Sequence, residues 1–248
     1  MRVWLLQSGT ISLEQTQITW NVAGPAQELP VYSVLVKHDD GLFLFDTGMN
    51  VDHMIEKMPA RMAKQREDQT IPAQLEQCGF SLEDVTATGN SHLHVDHVGG
   101  NRHFAGLGTR HLIHERELRQ ARGAHEIFEA PGYSDRSWDY DGAVIESFSG
   151  DYVVAPGIWL IETPGHTVGH CSLLLLGANS MLFLGDVSYT SKAFADNLQP
   201  GFHNDPRAGV VAIDRVRDIA TRHGARLMFS HDMESWREYR QVPDFYAL

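Results

Sequence analysis

The chain has 248 residues, 42% of them hydrophobic, so it is long enough to bury a substantial core. Its 20 Lys and Arg residues against 32 Asp and Glu residues give a formal net charge of −12. So acidic a surface argues against nucleic acid and anionic membranes as partners and favours a small neutral substrate.

Hydrophobic patterns in the first half of the chain predict alternating strands and helices. Strands are predicted over residues 3–7, 32–37, 42–46 and 111–114. Apolar residues at helical spacing predict a helix over residues 51–62. A second, short helix is framed by Pro72 in its first turn and Gly79 at its end.

The second half continues the alternation. Strands are predicted over residues 158–161, 181–184 and 227–229, and residues 171–176 form a further apolar run. The pair Asp205 and Pro206 starts a helix that Gly224 ends, and its apolar side chains recur at helical spacing. Because no long linker, low-complexity segment or repeat interrupts the chain, residues 1–248 are expected to form a single mixed α/β domain.

Segment 121–141 fits neither pattern. It carries four aromatic residues among Gly, Pro and charged residues, namely Phe128, Tyr133, Trp138 and Tyr140. So much aromatic area in an irregular stretch suits a pocket wall or a subunit contact, and equally a loop packed back on the core.

The two cysteines indicate the redox state of the cellular compartment in which the protein is expected to act. Cys78 and Cys171 suggest no disulfide framework, which favours a reducing environment. The first residues lack the features of a signal peptide, and no run approaches the roughly 20 apolar residues of a membrane span. A cytoplasmic location is therefore expected.

Residues 92–97 read His-Leu-His-Val-Asp-His and are the most informative stretch of the chain. Imidazole and carboxylate are good ligands for zinc and other divalent transition metals. On an extended or loop backbone His92 and His94 can face the same way, while Asp96 and His97 turn toward a neighbouring point. Four such residues in six positions suit two metals better than one, because so short a segment seldom supplies all the ligands of a single tetrahedral zinc.

Three further candidate ligands follow in the second half. His166, Asp186 and His231 each come shortly after an apolar run of strand character. Each therefore lies where a strand ends in a loop, which is where α/β proteins gather functional side chains. Together with the four residues of the motif, they predict a dinuclear metal site.

His-x-His-x-Asp-His followed by separate His, Asp and His resembles the metallo-β-lactamase superfamily. The stretch 44–48 (Leu-Phe-Asp-Thr-Gly) and the glycines 99 and 100 also match the pattern of that superfamily. This resemblance covers nearly the whole chain and implies a four-layer αββα sandwich, in which the two halves of the ligand set meet at one edge of the sheets.

Within the superfamily the chain resembles the N-acyl homoserine lactone lactonases, which act in quorum quenching. The specific feature is Tyr189, three residues after Asp186, where those lactonases have a tyrosine that contacts the substrate carbonyl. The stretches 30–36, 132–135 (Gly-Tyr-Ser-Asp) and 230–233 (Ser-His-Asp-Met) are more similar to 4-pyridoxolactonase. The resemblance thus implies a lactonase and leaves the choice between these lactones open.

The resemblance also implies a division of the ligands between two divalent metal ions. One set is His92, His94 and His166, the other is Asp96, His97 and His231, and Asp186 and a hydroxide bridge the two ions. The hydroxide attacks the lactone carbonyl, whose oxygen is polarised by a metal and by Tyr189, and Asp96 passes a proton to the leaving alkoxide.

Two neighbouring residues are interpreted as partners of the ligands. His170 lies four residues after His166, and Asp46 lies in the Phe-Asp-Thr-Gly stretch. A metal-bound histidine needs a hydrogen-bond partner for its second nitrogen. His170 and Asp46 are better suited to that supporting role than to binding the metal.

The alternatives are a thioesterase of the glyoxalase type, which needs the same groups, and more remotely a protein that binds a lactone without hydrolysing it. Zinc is the first choice of metal, with manganese, cobalt and iron also compatible with the ligand set. The resemblance implies a homodimer, and the substrate is expected to be a small-molecule lactone.

Overall fold

The computed structural model describes residues 1–55, 62–123 and 132–248, and within these residues it contains two β-sheets. The strands of the first sheet are β1 (Arg2–Leu13), β2 (Gln27–His38), β3 (Gly41–Phe45), β4 (Ala63–Lys64), β5 (Val85–Gly89), β6 (Arg110–His114), β7 (Val144–Phe148) and β13 (Tyr246–Ala247). Their order is β13-β1-β2-β3-β5-β6-β7, with β4 beside β1. The pairs from β13 to β3 are antiparallel, and those from β3 to β7 are parallel.

The second sheet is smaller and comes from the second half of the chain. Its strands are β8 (Tyr152–Ala155), β9 (Ile158–Glu162), β10 (Cys171–Leu175), β11 (Met181–Phe183) and β12 (Arg226–Met228). They lie in the order β12-β11-β10-β9-β8. Only the β11–β12 pair is parallel, and the others are antiparallel.

Helices lie outside the two sheets. The α-helices of the described residues are α1 (Gln15–Ile18), α2 (Val51–Ile55), α3 (Ile71–Gln77), α4 (Val95–Val98), α5 (Glu115–Arg122), α6 (Asp135–Trp138), α7 (Ser191–Ala195), α8 (Pro206–His223) and α9 (Met233–Glu238). Two of them mark the outer layers, since α3 packs on the first sheet and α8 on the second.

Three clusters of buried side chains define four layers. Between the sheets, residues of the first sheet pack against residues of the second, including Leu5, Val34, Phe43, Leu160, Leu173 and Phe183. On the outer face of the first sheet, Leu6 and Leu35 pack with Ile71 and Leu75 of α3. On the outer face of the second, the cluster consists chiefly of Leu174, Leu182, Ile213, Val216 and Ile219. Burial of apolar side chains on both faces of each sheet thus produces the expected αββα sandwich.

Helix α8 follows its sequence signals closely. The Asp205 side chain accepts hydrogen bonds from the backbone N–H groups of Arg207 and Ala208, and Pro206 occupies the first turn. The helix ends at Gly224, whose φ of 57° is left-handed and favours glycine. Among the described residues, α8 included, no helix combines the length and apolar character needed to cross a membrane.

The predicted elements are present, but the sequence patterns missed several others. Strand β5 leads directly to the His92 motif, yet it reads Val-Thr-Ala-Thr-Gly, in which the only apolar side chains are those of Val85 and Ala87. It is a buried parallel strand whose Thr88 hydrogen-bonds His111 of β6 at 2.7 Å. Of the helix predicted over residues 51–62, the structure contains α2, and residues 56–61 lie outside the described part of the chain.

Both sheets contribute to one edge of the sandwich. The loop after β5 carries the His92–His97 motif, and the loops after β9, β11 and β12 carry His166, Asp186 and His231. Because these strand ends meet, residues far apart in sequence come within contact distance.

Candidate metal centre

The His92–His97 motif changes backbone conformation halfway along its length. His94 is the N-cap of α4 and is extended, with φ −69° and ψ 151°, whereas Asp96 and His97 lie in the first turn of that helix. The sequence predicted an extended segment or a loop. The short helix explains how six residues reach one cluster, since it brings the His97 ring within 4.2 Å of the His92 ring, centroid to centroid, while His94 lies 4.5 Å away on the other side of the bend in the backbone.

Asp186 lies in a tight turn, residues Gly185–Val187, directly after β11. Gly185 has a φ of 55°, and a Cβ at this position would lie 2.6 Å from Nε2 of His170. Only glycine combines this backbone conformation with the close approach of the imidazole ring. The turn places the Asp186 carboxylate, which is 1% exposed, at the centre of the site.

The seven predicted ligands form one cluster. Their potential ligand atoms lie within 4.8 Å of one another in three groups: His92, His94 and His166; His92, His97 and Asp186; and Asp96, His97 and His231. Oδ2 of Asp186 lies 3.7, 3.4 and 3.2 Å from Nε2 of His92, His97 and His166, and its Oδ1 lies 3.4 Å from Nε2 of His231. Asp186 is therefore shared between the groups.

Three of the imidazole rings are oriented through their second nitrogen. Nδ1 of His97 donates to Oδ2 of Asp46 at 2.8 Å, Nδ1 of His166 to the Phe202 carbonyl at 2.6 Å, and Nδ1 of His231 to the Pro30 carbonyl at 2.8 Å. Because a carbonyl oxygen can only accept, Nδ1 carries the proton in His166 and His231. Nε2 then presents its lone pair to the site, as in a metal-binding histidine.

The arrangement fits divalent metal ions. Within the described residues, the buried Nε2 atoms of His92, His97 and His231 have no hydrogen-bond partner. Buried polar atoms without a partner cost free energy, and several lone pairs facing two carboxylates would be satisfied together by cations. A set of imidazoles and carboxylates without cysteine suits zinc, manganese, cobalt or iron.

Burial and neighbouring charges shift the pKa values in the cluster in opposite directions. Burial holds the pKa values of His92 and His94 well below the usual range, so both rings are neutral and free to act as ligands. Burial also acts on His97, but the carboxylates of Asp186, Asp96 and Asp46 outweigh it and raise the His97 pKa.

The two residues interpreted as partners of the ligands do contact them. Nε2 of His170 accepts a hydrogen bond from the backbone N–H of Asp186 at 2.9 Å, and burial lowers the pKa of His170 to about 3. Asp46 accepts hydrogen bonds from His97 and from the backbone N–H and the hydroxyl of Ser91. Neither residue belongs to the three groups of potential metal ligands.

Tyr189 lies at the side of the cluster. Its ring makes edge contacts with His231 and His166, at centroid distances of 4.9 and 5.9 Å, and the residue is 4% exposed. The structure therefore brings Tyr189 next to both sets of histidines.

The three described aromatic residues of segment 121–141 lie in different surroundings. The Tyr133 ring packs against His94 at a centroid distance of 4.8 Å. Trp138 is buried in the core, and the Tyr140 hydroxyl donates to the backbone carbonyl of Asn101. Of the three alternatives, packing back on the core describes Trp138 and Tyr140, and Phe128 lies outside the described residues.

Sequence reasoning missed Glu117 of α5. This residue is 1% exposed, and its carboxylate accepts hydrogen bonds from the backbone N–H groups of Leu93 and Gly169 and from the Tyr133 hydroxyl. Burial raises its pKa, while these donors act in the opposite direction. The sequence holds no signal for it, because a glutamate in a short charged helix reads as exposed.

Comparison with protein families finds a match to the metallo-β-lactamase superfamily over residues 26–241. The chain is 29% identical over 263 residues to N-acyl homoserine lactonase AttM of Rhizobium radiobacter, covering 100% of this chain and 99% of the relative. It is also 29% identical over 256 residues to an N-acyl homoserine lactonase of Bacillus cereus, covering 98% of each.

A solved structure is similar over the same extent. It is that of an N-acyl homoserine lactone hydrolase with the product N-hexanoyl-L-homoserine bound at the catalytic metal centre. The TM-score is 0.87 and the sequence identity 26%, and the alignment covers 99% of this chain and 98% of the other.

Proposed function

The chain belongs to the metallo-β-lactamase superfamily, and from that premise we propose that it is a dinuclear metal-dependent lactonase that hydrolyses N-acyl homoserine lactones. The observation that carries the proposal is the position of Asp186 between the groups of imidazoles, with Tyr189 beside them. Relatives of nearly equal length that hydrolyse these lactones support the substrate class.

We propose the division of the ligands into two sets that the family resemblance implies. His92, His94 and His166 would hold one ion, and Asp96, His97 and His231 the other, with Asp186 between them. Bound divalent ions would lower the pKa of a water far below its value in bulk, toward about 7, and polarise the lactone carbonyl. Zinc is the proposed metal.

Two side chains would act on the substrate directly. The Tyr189 phenol would donate a hydrogen bond to the carbonyl oxygen as negative charge develops on it. Asp96 lies at the rim of the cluster, and its side chain is 14% exposed, so it is accessible to solvent and substrate. It would take the proton from the attacking water and deliver it to the ester oxygen when the ring opens.

Several residues in the stretches that resemble 4-pyridoxolactonase hold the scaffold. The Tyr133 hydroxyl donates to Glu117, and the Tyr32 hydroxyl donates to the Phe229 carbonyl at 2.9 Å. Asp232 is the N-cap of α9. These contacts are internal to the protein and support a common framework, whereas Ser230 and His231 of the same stretches lie at the proposed metal site, where both lactone classes would be hydrolysed.

The test is a side-by-side hydrolysis assay on the zinc-loaded protein. The substrates are N-acyl homoserine lactones of several chain lengths, 4-pyridoxolactone, γ-butyrolactone and a glutathione thioester. The expected result is the highest kcat/KM on an acyl homoserine lactone. His166→Ala should abolish turnover, and His223→Ala, at an exposed position on α8, should not.

The other outcomes each contradict part of the proposal. Activity confined to 4-pyridoxolactone would mean that this compound, and not an acyl homoserine lactone, is the substrate. Rapid cleavage of the thioester alone would mean that the protein is a thioesterase of the glyoxalase type and not a lactonase. Binding without hydrolysis of any lactone would identify a binding protein. Zinc as the native metal, a homodimer, and a cytoplasmic location stay predictions from the sequence.

A further inference from the structure

Glu117 occupies a position between two loops that carry metal ligands. Its Oε1 accepts a hydrogen bond at 2.9 Å from the backbone N–H of Leu93, the residue between His92 and His94. Its Oε2 accepts one at 3.3 Å from the backbone N–H of Gly169, in the loop that carries His166. One buried carboxylate thus connects the first half of the ligand set with the second.

The rest of helix α5 reinforces this connection. The Gln120 side chain, one turn further along the helix, accepts a hydrogen bond from the backbone N–H of Val168 at 3.0 Å. A Cβ on Gly169 would collide with the backbone nitrogen of Glu117, so glycine is required for the loop to approach the helix this closely. The His166 loop therefore rests directly on α5.

Tyr133 adds a third connection to the same carboxylate. Its hydroxyl donates to Oε1 of Glu117 at 3.1 Å, and its ring packs against the ring of His94. The orientation of His94 consequently depends on Glu117 through the side chain as well as through the backbone.

These contacts all reach one of the two proposed ligand sets. His97 is oriented by Asp46, and His231 by the Pro30 carbonyl, and neither Asp46 nor Pro30 lies on α5. We propose that Glu117 is a positioning residue for the ion held by His92, His94 and His166. Removal of the Glu117 charge would lower the affinity for that ion far more than the affinity for the other ion. The inference rests on the dinuclear site of the proposed function.

The test counts bound ions in the zinc-loaded protein. Wild type, Glu117→Gln and Glu117→Asp are equilibrated against a graded series of zinc chelator, and zinc per chain is measured by elemental analysis. Glu115→Gln is the matched control, because Glu115 lies on the same helix and is exposed. Loss of a partner that orients a metal ligand generally lowers metal affinity by about 10- to 100-fold.

For Glu117→Gln we expect one zinc to be lost at a chelator concentration at least about tenfold lower than in the wild type, with the second retained as in the wild type. Glu117→Asp keeps the charge and should fall between the two proteins. Glu115→Gln should match the wild type. This asymmetry between two ions in one folded protein distinguishes positioning from a general loss of stability.

Three results would overturn the assignment. An equal loss of affinity for both ions in Glu117→Gln would mean that Glu117 supports the fold as a whole. Zinc release that is unchanged from the wild type would mean that Glu117 does not position the ligands. If Glu117→Gln does not fold, wild-type zinc release from Glu117→Asp contradicts the proposal. A wild type that holds only one zinc contradicts the dinuclear site itself, and this outcome is read from the wild type without any variant.

Discussion

Tyr189 is the residue at which chemistry can be separated from metal binding, because its phenol lies beside the imidazoles and outside the three ligand groups. We predict that Tyr189→Phe keeps both metals and lowers kcat on the best lactone by roughly 10- to 100-fold, since it removes one donor to the developing oxyanion. Steady-state kinetics together with elemental analysis measure both properties.

The control for this prediction is Tyr152→Phe. Tyr152 lies on β8, and its hydroxyl donates to Glu146, so the variant loses a phenol with no contact to the proposed ligands. It should retain wild-type kinetics. Unchanged kinetics in Tyr189→Phe would make Tyr189 a packing residue and remove the residue-level argument for preferring lactones to thioesters.

At the scale of secondary-structure elements, the parallel strands β5 and β6 are joined through a buried histidine. Nδ1 of His111 lies 2.7 Å from Oγ1 of Thr88, and Nε2 lies 2.6 Å from the Tyr140 hydroxyl. That hydroxyl donates its single proton to the Asn101 carbonyl, so Nε2–H of His111 donates to the Tyr140 oxygen, and Nδ1 of the neutral ring accepts from the Thr88 hydroxyl. Burial lowers the pKa of His111 to about 4.

This pKa predicts a specific pH dependence of stability. The unfolded chain binds the proton near pH 6.5 and the folded protein near pH 4, so the stability that neutral His111 contributes is present above about pH 6.5 and is lost as the pH falls toward 4. Between pH 7 and pH 5 the wild type should lose about 1–2 kcal/mol more unfolding free energy than His111→Gln.

Urea unfolding of both proteins at the two pH values measures this difference, because the contributions of all other titrating groups largely cancel between them. His223→Gln, at an exposed position, should keep the wild-type pH dependence. The prediction is wrong if His111→Gln loses as much stability on acidification as the wild type does.

At the scale of the whole molecule, the proposed metal ions would join the two sheets. The His92–His97 motif follows a strand of the first sheet, whereas His166, Asp186 and His231 follow strands of the second. An ion bound only by the folded protein, at a free concentration about 1,000 times its dissociation constant, stabilises the fold by about 4 kcal/mol.

Removal of both metals by a chelator, which costs about twice that free energy, should therefore lower Tm by about 15–30 °C, because 1 kcal/mol corresponds to roughly 2–4 °C in a protein of this size. We also expect a single unfolding transition before and after chelation, in keeping with the proposed single domain. Differential scanning calorimetry measures both, and restoring zinc should restore Tm. If the protein has the same Tm after complete removal of the metals as it has with metals bound, the metals do not join the sheets.

The amino-acid sequence by itself determined the identities and spacing of the proposed ligands. Imidazole and carboxylate groups are recognisable without a structure, and His92, His94, Asp96 and His97 are close in sequence. The apolar runs before His166, Asp186 and His231 were also sufficient to place these residues at strand ends, because burial of a strand leaves a periodic pattern of side chains.

Only the tertiary structure decided which groups meet and what holds them there. Asp186 reaches both sets of histidines because two sheets pack face to face, and no local pattern specifies that packing. Glu117 looks like an ordinary exposed helical glutamate in the sequence, and strand β5 offers only Val85 and Ala87 as an apolar signal. Their roles come from hydrogen bonds to backbone and side-chain groups of other elements, such as Leu93, Gly169 and His111, and contacts of this kind form only once distant segments are brought together.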